Sequence, residues 1–220
     1  LDETGALQRS PEEEAVYAAL GLDWIPPELR EDRGEIEAAA RHALPNLVAL
    51  DDIRMELHSH TTWSDGVNTI EEMARAAIRK GYRVLAITAP SSYLGIVGGM
   101  KPEDLPRQRE ELDAVQRKLG DQILLLHGAE VDIRADGALD YPDEVLATLD
   151  IVIASLHASL RQPREQVTAR LLNAIRNPHV DLIAHPTGRL LPDRSGADLD
   201  WQAVYAALKE HGTMLEINAS

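Results

Sequence analysis

Short apolar runs rich in β-branched residues alternate with longer segments of helical spacing from Asp52 to the end of the chain. This alternation is typical of repeated βα units that build a parallel sheet. The pattern predicts strands at residues 53–58, 83–88, 122–127 (or on through 131), 150–156, 180–184 and 213–217. It predicts helices at residues 69–80, 102–119, 142–147, 164–176 and 200–211. We therefore expect an α/β fold with parallel strands.

The first fifty residues do not follow this alternation. They contain a short helical stretch at 11–20, the adjacent prolines Pro26 and Pro27, and an Ala-rich helical stretch at 34–43. Because a Pro-Pro pair blocks both regular helix and strand pairing, we interpret this part as an appendage and linker with little core of its own. The chain begins with Leu1 and stops within a pattern, so we expect it to be a piece of a longer protein.

Histidines lie at the ends of the predicted strands. Four of the eight histidines and one glutamate have this position, namely His58, His60, Glu130, His157 and His185. The carboxyl ends of parallel strands in a barrel converge at one mouth, so these residues should meet although they are far apart in sequence. His127 lies three residues before Glu130 and should face another direction. The other histidines are expected on the solvated surface, namely His42, His179 and His211.

The composition limits the chemistry of such a site. The chain has no cysteine, so a metal ion must be held by histidines and carboxylates, a ligand set that suits zinc, manganese or iron. The formal net charge of −15 disfavours a sequence-independent grip on DNA by this chain alone, because phosphate neutralisation needs clustered Lys and Arg. No apolar run approaches the roughly 20 residues that span a bilayer, so we expect no membrane partner and a cytoplasmic location.

Some charged residues allow two interpretations. Asp65 precedes Gly66 and belongs either to a turn or to the metal site. Arg161 and Arg189 follow strand-end histidines closely, so each either holds a phosphate near the mouth or pairs with a surface acid. Three aspartates recur every four residues without matching a calcium loop, and we expect them in a solvated acidic loop: Asp132, Asp136 and Asp140.

Four motifs resemble the PHP (polymerase and histidinol phosphatase) domain. They are residues 56–66 (ELHSHTTWSDG), 128–133 (GAEVDI), 154–157 (ASLH) and 184–191 (AHPTGRLL). More narrowly, they resemble the PHP domain at the carboxyl end of bacterial family X DNA polymerases. Residues 20–35 (LGLDWIPPELREDRGE) are similar to the end of the polymerase core that precedes that domain. The resemblance therefore covers nearly the whole chain.

The resemblance implies a fold and an activity. The fold is a distorted (βα)7 TIM-like barrel, here without its last strand and with a short helical amino-terminal appendage. The implied domains are residues 1–33 as a thumb-like end of the polymerase core, 34–51 as a linker helix and 52–220 as a PHP domain truncated at its carboxyl end. The implied activity is metal-dependent 3′-5′ exonuclease action in DNA repair, with DNA held mainly by an upstream polymerase core.

The resemblance also implies a set of site residues. The metal ligands would be His58, His60, Asp65, Glu130, His157 and His185. With Arg189 added for its position shortly after His185, we name Glu130, Asp65 and Arg189 as the candidate catalytic residues. This chain has Ala89-Pro90 where the family usually has Asp-His, and a further Asp-x-His motif would lie beyond Ser220. We therefore expect fewer than three bound ions, manganese or zinc.

Two other functions remain open. Ala89-Pro90 favours a degenerate, non-catalytic module that serves as a scaffold or interaction surface beside the polymerase core. The PHP resemblance alone also suits a phosphatase that acts on a small ester of the histidinol-phosphate type. Residues 20–35 disfavour this second alternative, because they are similar to a polymerase. The sequence makes no prediction of the oligomeric state.

Overall fold

Six parallel strands form one sheet in the computed structural model, which describes residues 10–92, 98–190 and 193–217. The strands are β1 (Met55–Glu56), β2 (Val84–Pro90), β3 (Leu124–Asp132), β4 (Ile151–Ser155), β5 (Leu182–Ala184) and β6 (Met214–Leu215). Each strand pairs in parallel with the next strand along the chain, in the order β1-β2-β3-β4-β5-β6. This order confirms the predicted α/β barrel that lacks its last strand.

Helices separate the strands as predicted. They are α3 (Ile70–Arg79), α4 (Leu105–Leu119), α5 (Asp143–Leu146), α6 (Arg164–Arg176) and α7 (Trp201–His211), preceded in the chain by α1 (Glu13–Ala19) and α2 (Glu35–Ala40). Helix α3 begins with a capping box in which Thr69 accepts from the Glu72 backbone and Glu72 accepts from the Thr69 backbone. Such reciprocal bonds satisfy two free backbone N–H groups and set where the helix starts. None of the described helices is long and apolar enough to cross a membrane.

The outer strands are shorter than the sequence predicts. Each of β1 and β6 has two residues, and each pairs with one neighbouring strand among the described residues. Strand β2 runs two residues further than predicted, to Pro90. Pro90 lacks a backbone donor, but its carbonyl still accepts from the Met100 N–H at 2.8 Å. Strand β3 ends at Asp132, which agrees with the longer of its two predicted ranges.

Two layers of apolar contacts hold the helices on the sheet. Ile70 of α3 and Leu112 of α4 pack with Leu85 and Ile87 of β2 in one cluster. A larger cluster joins β3, β4 and β5 to the helices that follow them, for example through Leu171 of α6. The burial of these side chains removes apolar surface from water and fixes the strands that carry the site.

The chain divides into two compact units, Leu1–Asp52 and Ile53–Ser220. Within the described part of the first unit, Ile25 and Ala39 are buried. Glu13 of α1 accepts from the Trp24 indole at 3.0 Å and from Arg30 at 2.8 Å. These bonds link α1 to the segment that contains the proline pair. The second unit contains the whole sheet.

Candidate metal centre

The carboxyl ends of the strands bring the histidines together at one cavity. His58 and His60 follow β1, His157 follows β4, and His185 follows β5 directly. They surround a cavity of about 470 Å³ whose lining is His58, His60, Asp65, Pro90, Ser91, Glu130, Asp132, His157, His185 and Arg194. The parallel sheet therefore brings four separate sequence motifs together at one site, as their positions at the strand ends predicted.

Glu130 lies at the centre of this cluster and is only 4% exposed. Its Oε1 atom lies 3.4 Å from His58 Nε2, 3.2 Å from His157 Nε2 and 2.9 Å from His185 Nε2. Its Oε2 atom lies 3.3 Å from His60 Nε2. All four histidines thus direct the same ring nitrogen to a single carboxylate.

Three of these rings each have a further carboxylate close to their other nitrogen, Nδ1. His60 Nδ1 is 2.8 Å from Asp65 Oδ1, and His157 Nδ1 is 2.7 Å from Asp132 Oδ1. His58 Nδ1 is 3.1 Å from Glu216 Oε1. A carboxylate that accepts from one ring nitrogen sets the tautomer and the orientation of the ring, and it leaves the other nitrogen free to bind a cation.

The cluster shifts the proton affinities of its members. Burial alone would raise the pKa of Glu130, but the four imidazoles close to its carboxylate outweigh burial and hold that pKa well below its usual range. Burial would lower the pKa of His58, but hydrogen bonds to Glu130 and Glu216 raise it to about 10. The pKa of His157 rises to about 9, because hydrogen bonds to Asp132 and Glu130 outweigh its burial. The site therefore attracts positive charge.

The residues fit a divalent metal ion. Ligand atoms of His58, Glu130 and His185 all lie within 4.8 Å of one another. His60 Nε2 is buried without a well-aligned hydrogen bond to any described residue, although Glu130 is near. A buried polar atom without a partner is costly, and a cation that accepts its lone pair removes the cost. Imidazole nitrogen with carboxylate oxygen is a donor set for zinc or manganese.

Comparison with known families decides what kind of domain this is. The family model of the PHP domain matches residues 56–220. The chain belongs to the PHP domain family. The family model of the DNA polymerase beta thumb matches residues 1–31, ahead of the PHP match.

Relatives of this PHP chain include a polymerase and phosphatases. The DNA polymerase/3′-5′ exonuclease PolX of Bacillus subtilis strain 168 is 44% identical over 218 residues, which are 99% of this chain and 38% of that protein. A protein of Caldanaerobacter subterraneus subsp. tengcongensis that bears the name probable phosphatase is 36% identical over 177 residues, 76% of this chain and 62% of that protein. The chain thus spans less than two thirds of either relative, and the resemblance to the polymerase-associated PHP domain is confirmed.

A solved structure supports the barrel. The histidinol phosphate phosphatase of Lactococcus lactis, in complex with zinc, L-histidinol and phosphate, matches with a TM-score of 0.54 and 16% sequence identity. The match covers 75% of this chain and 73% of that protein. At this level of identity the likeness shows the PHP fold alone.

The structure brings most of the predicted PHP site residues to the cavity. His58, His60, Asp65, Glu130, His157 and His185 all line it. Arg189 is exposed and lines a neighbouring cavity of about 470 Å³. Arg161 is exposed and lies at neither of these cavities.

Ala89 and Pro90 occupy the end of β2, beside the site. Pro90 pairs in register with Glu130 of β3 and lines the cavity, where it offers no ligand atom. The next residue, Ser91, uses its hydroxyl oxygen to accept from the Asp132 backbone N–H at 3.1 Å. Strand β2 therefore brings neither a nitrogen nor a carboxylate to the centre.

The prediction for Asp132 is wrong. We expected it in a solvated acidic loop, but Asp132 is 4% exposed at the end of β3 and accepts from His157. A sequence signal existed, because Asp132 follows Glu130 by two residues and alternate residues of a strand share a face. The apolar run that precedes Glu130 continues through Val131 and Ile133, which also indicates a buried strand rather than a loop.

Sequence analysis also missed Glu216 and Arg194. Glu216 follows β6, so a rule that examined every residue at a strand end would have found it. Arg194 lines both cavities, and its Nε donates to the Gly188 carbonyl at 2.7 Å. No strand pattern marks Arg194, because it lies in the loop after β5.

His127 lies on the other face of β3, as predicted. Its ring is 2% exposed, and Nε2 is 3.0 Å from Gln108 Oε1 of α4. It is therefore part of the contact between the sheet and a helix.

Proposed function

We propose that this chain is the PHP part of a DNA polymerase related to PolX and that it hydrolyses phosphodiester bonds at the 3′ ends of DNA with the help of divalent metal ions. The observation that carries the proposal is the convergence of four histidine Nε2 atoms within 3.4 Å of the buried Glu130 carboxylate. The identity of 44% to PolX over 99% of the chain favours DNA as the substrate.

Glu130, His58 and His185 would hold the metal, supported by His60 and His157. A divalent ion held there would supply hydroxide from water near neutral pH and would stabilise the charge on the leaving oxygen. The protein holds the rings in place for this role. A contact between Nδ1 and a carboxylate holds each of three rings in one orientation. The Nε2 atom of each of these rings therefore stays directed at Glu130.

Arg194 would bind the substrate phosphate. It lines the metal cavity and the neighbouring cavity, so a group that bridges the two passes this side chain. Its Nε bond to Gly188 positions the guanidinium, whose terminal nitrogens have no protein hydrogen-bond partner among the described residues. A guanidinium is suited to paired hydrogen bonds with phosphate oxygens. We assign Arg189, which is exposed in the second cavity, to a second phosphate of the strand.

DNA would be held mainly by a polymerase core. The chain carries a formal net charge of −15, which opposes DNA binding by phosphate neutralisation. The thumb match at residues 1–31 supports this division of labour. We propose residues 1–33 as the end of that core, 34–51 as a linker and 52–220 as the PHP domain.

Two alternatives have their own supporting observations. The likeness to a probable phosphatase favours hydrolysis of a small phosphomonoester. Pro90 beside Glu130 favours a module that has lost catalysis, because it removes a ligand position from the mouth.

An exonuclease assay distinguishes these functions. Single-stranded DNA labelled at the 5′ end is incubated with manganese and either the longer polymerase that we propose contains this chain or its variant with both His58→Ala and His60→Ala. We expect shortening from the 3′ end by the wild type and a loss of at least about 100-fold in the double variant. A matched control is His211→Ala, which changes an exposed histidine of α7.

Each outcome selects one function. Equal 3′ shortening by the wild type and the double variant would assign the activity to something other than this site. Turnover of p-nitrophenyl phosphate without shortening of DNA would select the small-molecule phosphatase. If neither substrate is turned over although manganese is bound, the non-catalytic module is the better description.

A further inference from the structure

A buried arginine of α6 connects two loops that start at the metal centre. Arg170 is 2% exposed, and its guanidinium donates to the loops that follow β3 and β4. The first loop follows Asp132, the last residue of β3, and the second contains His157, two residues after β4. These two side chains share a hydrogen bond, in which His157 Nδ1 lies 2.7 Å from Asp132 Oδ1. Any group that fixes the distance between the loops therefore also acts on this hydrogen bond.

We propose that Arg170 is a positioning residue of the metal centre: it holds the loops after β3 and β4 at a fixed distance, and this keeps Asp132 bonded to His157. The His157 Nε2 atom then stays directed at Glu130, from which it lies 3.2 Å. This inference rests on the proposed function, because it assumes that His157 helps to hold a divalent ion. Arg170 lines neither of the two cavities at the site, so it would act through the backbone.

Two bonds of Arg170 go to the residues next to the site. Its Nη2 atom donates to the Ile133 carbonyl at 2.7 Å and to the Ala158 carbonyl at 3.1 Å. Ile133 is the residue after Asp132, and Ala158 is the residue after His157. One nitrogen atom thus joins the two loops, each at one residue beyond the pair whose side chains meet.

The other bonds of the guanidinium go further along the same loops. Its Nε atom donates to the Arg134 carbonyl at 2.8 Å, and its Nη1 atom donates to the Ser159 carbonyl at 3.2 Å and to Gln162 Oε1 at 2.6 Å. Together with the two bonds of Nη2, these bonds match the five N–H donors of a guanidinium. Because the five donors lie in one rigid plane, they fix the positions of both loops relative to each other.

The loop after β4 has a backbone conformation that needs such support. Ser159 has a φ of 57°, in the left-handed region that a residue with a Cβ atom seldom adopts. The Ala158 and Ser159 carbonyls lie on either side of the Ser159 Cα atom, and both accept from Arg170. Unusual backbone conformations persist where the surrounding contacts hold them. The guanidinium therefore holds this conformation two residues after His157.

Gln162 extends the connection between the loops. Its Oε1 atom accepts from Arg170, and its Nε2 atom donates to the Ala135 carbonyl of the loop after β3 at 3.1 Å. The same loop packs on α6, since a Cβ atom at Gly137 would lie 3.6 Å from the Arg170 Cα atom. Loss of the Gln162 side chain would thus weaken the connection while the bonds of Arg170 to the backbone remain.

Zinc affinity measured together with stability separates positioning from a general contribution to stability. We would titrate the chain with zinc in competition with a chelating dye, which gives the affinity of each bound ion, and unfold the same proteins in urea. The variants are Arg170→Lys and Gln162→Ala. Leu119→Ala is the control for lost stability, because Leu119 is 3% exposed at the end of α4, in the apolar cluster that contains Leu125 near the start of β3. Arg176→Lys makes the same substitution at an exposed position of α6.

We expect Arg170→Lys to weaken the binding of at least one zinc ion about tenfold, the lower end of the range for groups that orient metal ligands. Gln162→Ala should weaken it by a smaller factor. Leu119→Ala should lose stability with little change in zinc affinity, and Arg176→Lys should match the wild type. In nitrogen-15 spectra of the zinc-loaded wild type, His157 should show a resolved Nδ1–H signal, and exchange with water should broaden this signal in Arg170→Lys.

A zinc affinity of Arg170→Lys equal to that of the wild type, or no weaker than that of Leu119→Ala, would overturn the inference and leave the proposed function intact. So would an unchanged His157 ring signal in Arg170→Lys, or a His157 ring bound through Nδ1 in the wild type. If Arg170→Lys does not fold, Gln162→Ala decides, and a wild-type zinc affinity with a wild-type ring signal would overturn the inference. A wild-type chain that binds neither zinc nor manganese would overturn the proposed function and this inference together.

Discussion

Replacement of His127 by glutamine should make the stability of the protein less sensitive to acid. His127 is 2% exposed between β3 and α4, with Nε2 at 3.0 Å from Gln108 Oε1 and with Nδ1 unpaired among the described residues. Burial lowers the pKa of this imidazole from 6.5 to about 4, and the charge of Arg109 adds to the effect. The folded protein therefore keeps His127 neutral where an unfolded chain would protonate it.

The direction and the size of the change in the free energy of unfolding follow from this difference in pKa. Between pH 6.5 and pH 4 the unfolded chain binds a proton at His127 that the folded chain does not, so the free energy of unfolding falls as the pH falls. Each pKa unit is worth about 1.4 kcal/mol, which gives a loss of about 2 kcal/mol from this residue between about pH 7 and pH 5. The glutamine variant lacks this titration but keeps an amide that can pair with Gln108.

Urea unfolding followed by circular dichroism at pH 7, 6 and 5 measures the effect. A metal chelator keeps the strand-end histidines in the same state in each protein. We expect the wild type to lose about 2 kcal/mol more than His127→Gln between pH 7 and pH 5. His211→Gln, which changes an exposed histidine, should follow the wild type. Parallel pH profiles for the wild type and His127→Gln would refute the reasoning.

Three further changes test other parts of the structure. Arg170 is 2% exposed and donates hydrogen bonds to four backbone carbonyls in the loops after β3 and β4. Arg170→Met should therefore lower the free energy of unfolding, measured by urea titration, by at least about 3 kcal/mol, and Arg170→Lys should lower it by less. Gly66→Ala should cost about 1–3 kcal/mol, seen as a lower melting temperature, because its Cβ would overlap the His60 backbone. Arg194→Gln should raise the KM for bis(p-nitrophenyl) phosphate about tenfold with a smaller change in kcat, whereas Arg189→Gln should change this KM little. Equal effects of the two variants in steady-state kinetics would contradict the role given to Arg194.

The position of Pro90 links the fold to the number of metal ions. Because Pro90 is in register with Glu130, any side chain at this position of β2 faces the centre of the site. Proline keeps the strand but contributes no ligand atom. The expectation of fewer than three ions therefore stays a prediction that the ion count of the wild type tests directly.

Much of the architecture could be predicted from the sequence, because it depends on local patterns. Alternating apolar runs and helical spacing predicted the order of strands and helices, and the parallel order of the strands then placed His58, Glu130, His157 and His185 at one edge. The lengths of β1 and β6 were overestimated, because the apolar pattern of a segment does not reveal how many of its residues pair with a neighbouring strand.

The sequence alone determined that the strand-end histidines and Glu130 reach the mouth of the barrel, and only the tertiary structure added Asp132, Arg194 and Glu216 and decided what each residue contacts there. His58 and Glu216 are 158 residues apart, and their contact at 3.1 Å depends on how far the sheet curls between its first and last strands. Likewise, the pattern placed Asp65 at the site but could not show that its oxygen is on the Nδ1 side of His60. Ring orientation and sheet curvature arise from packing over the whole domain, and no local pattern contains them.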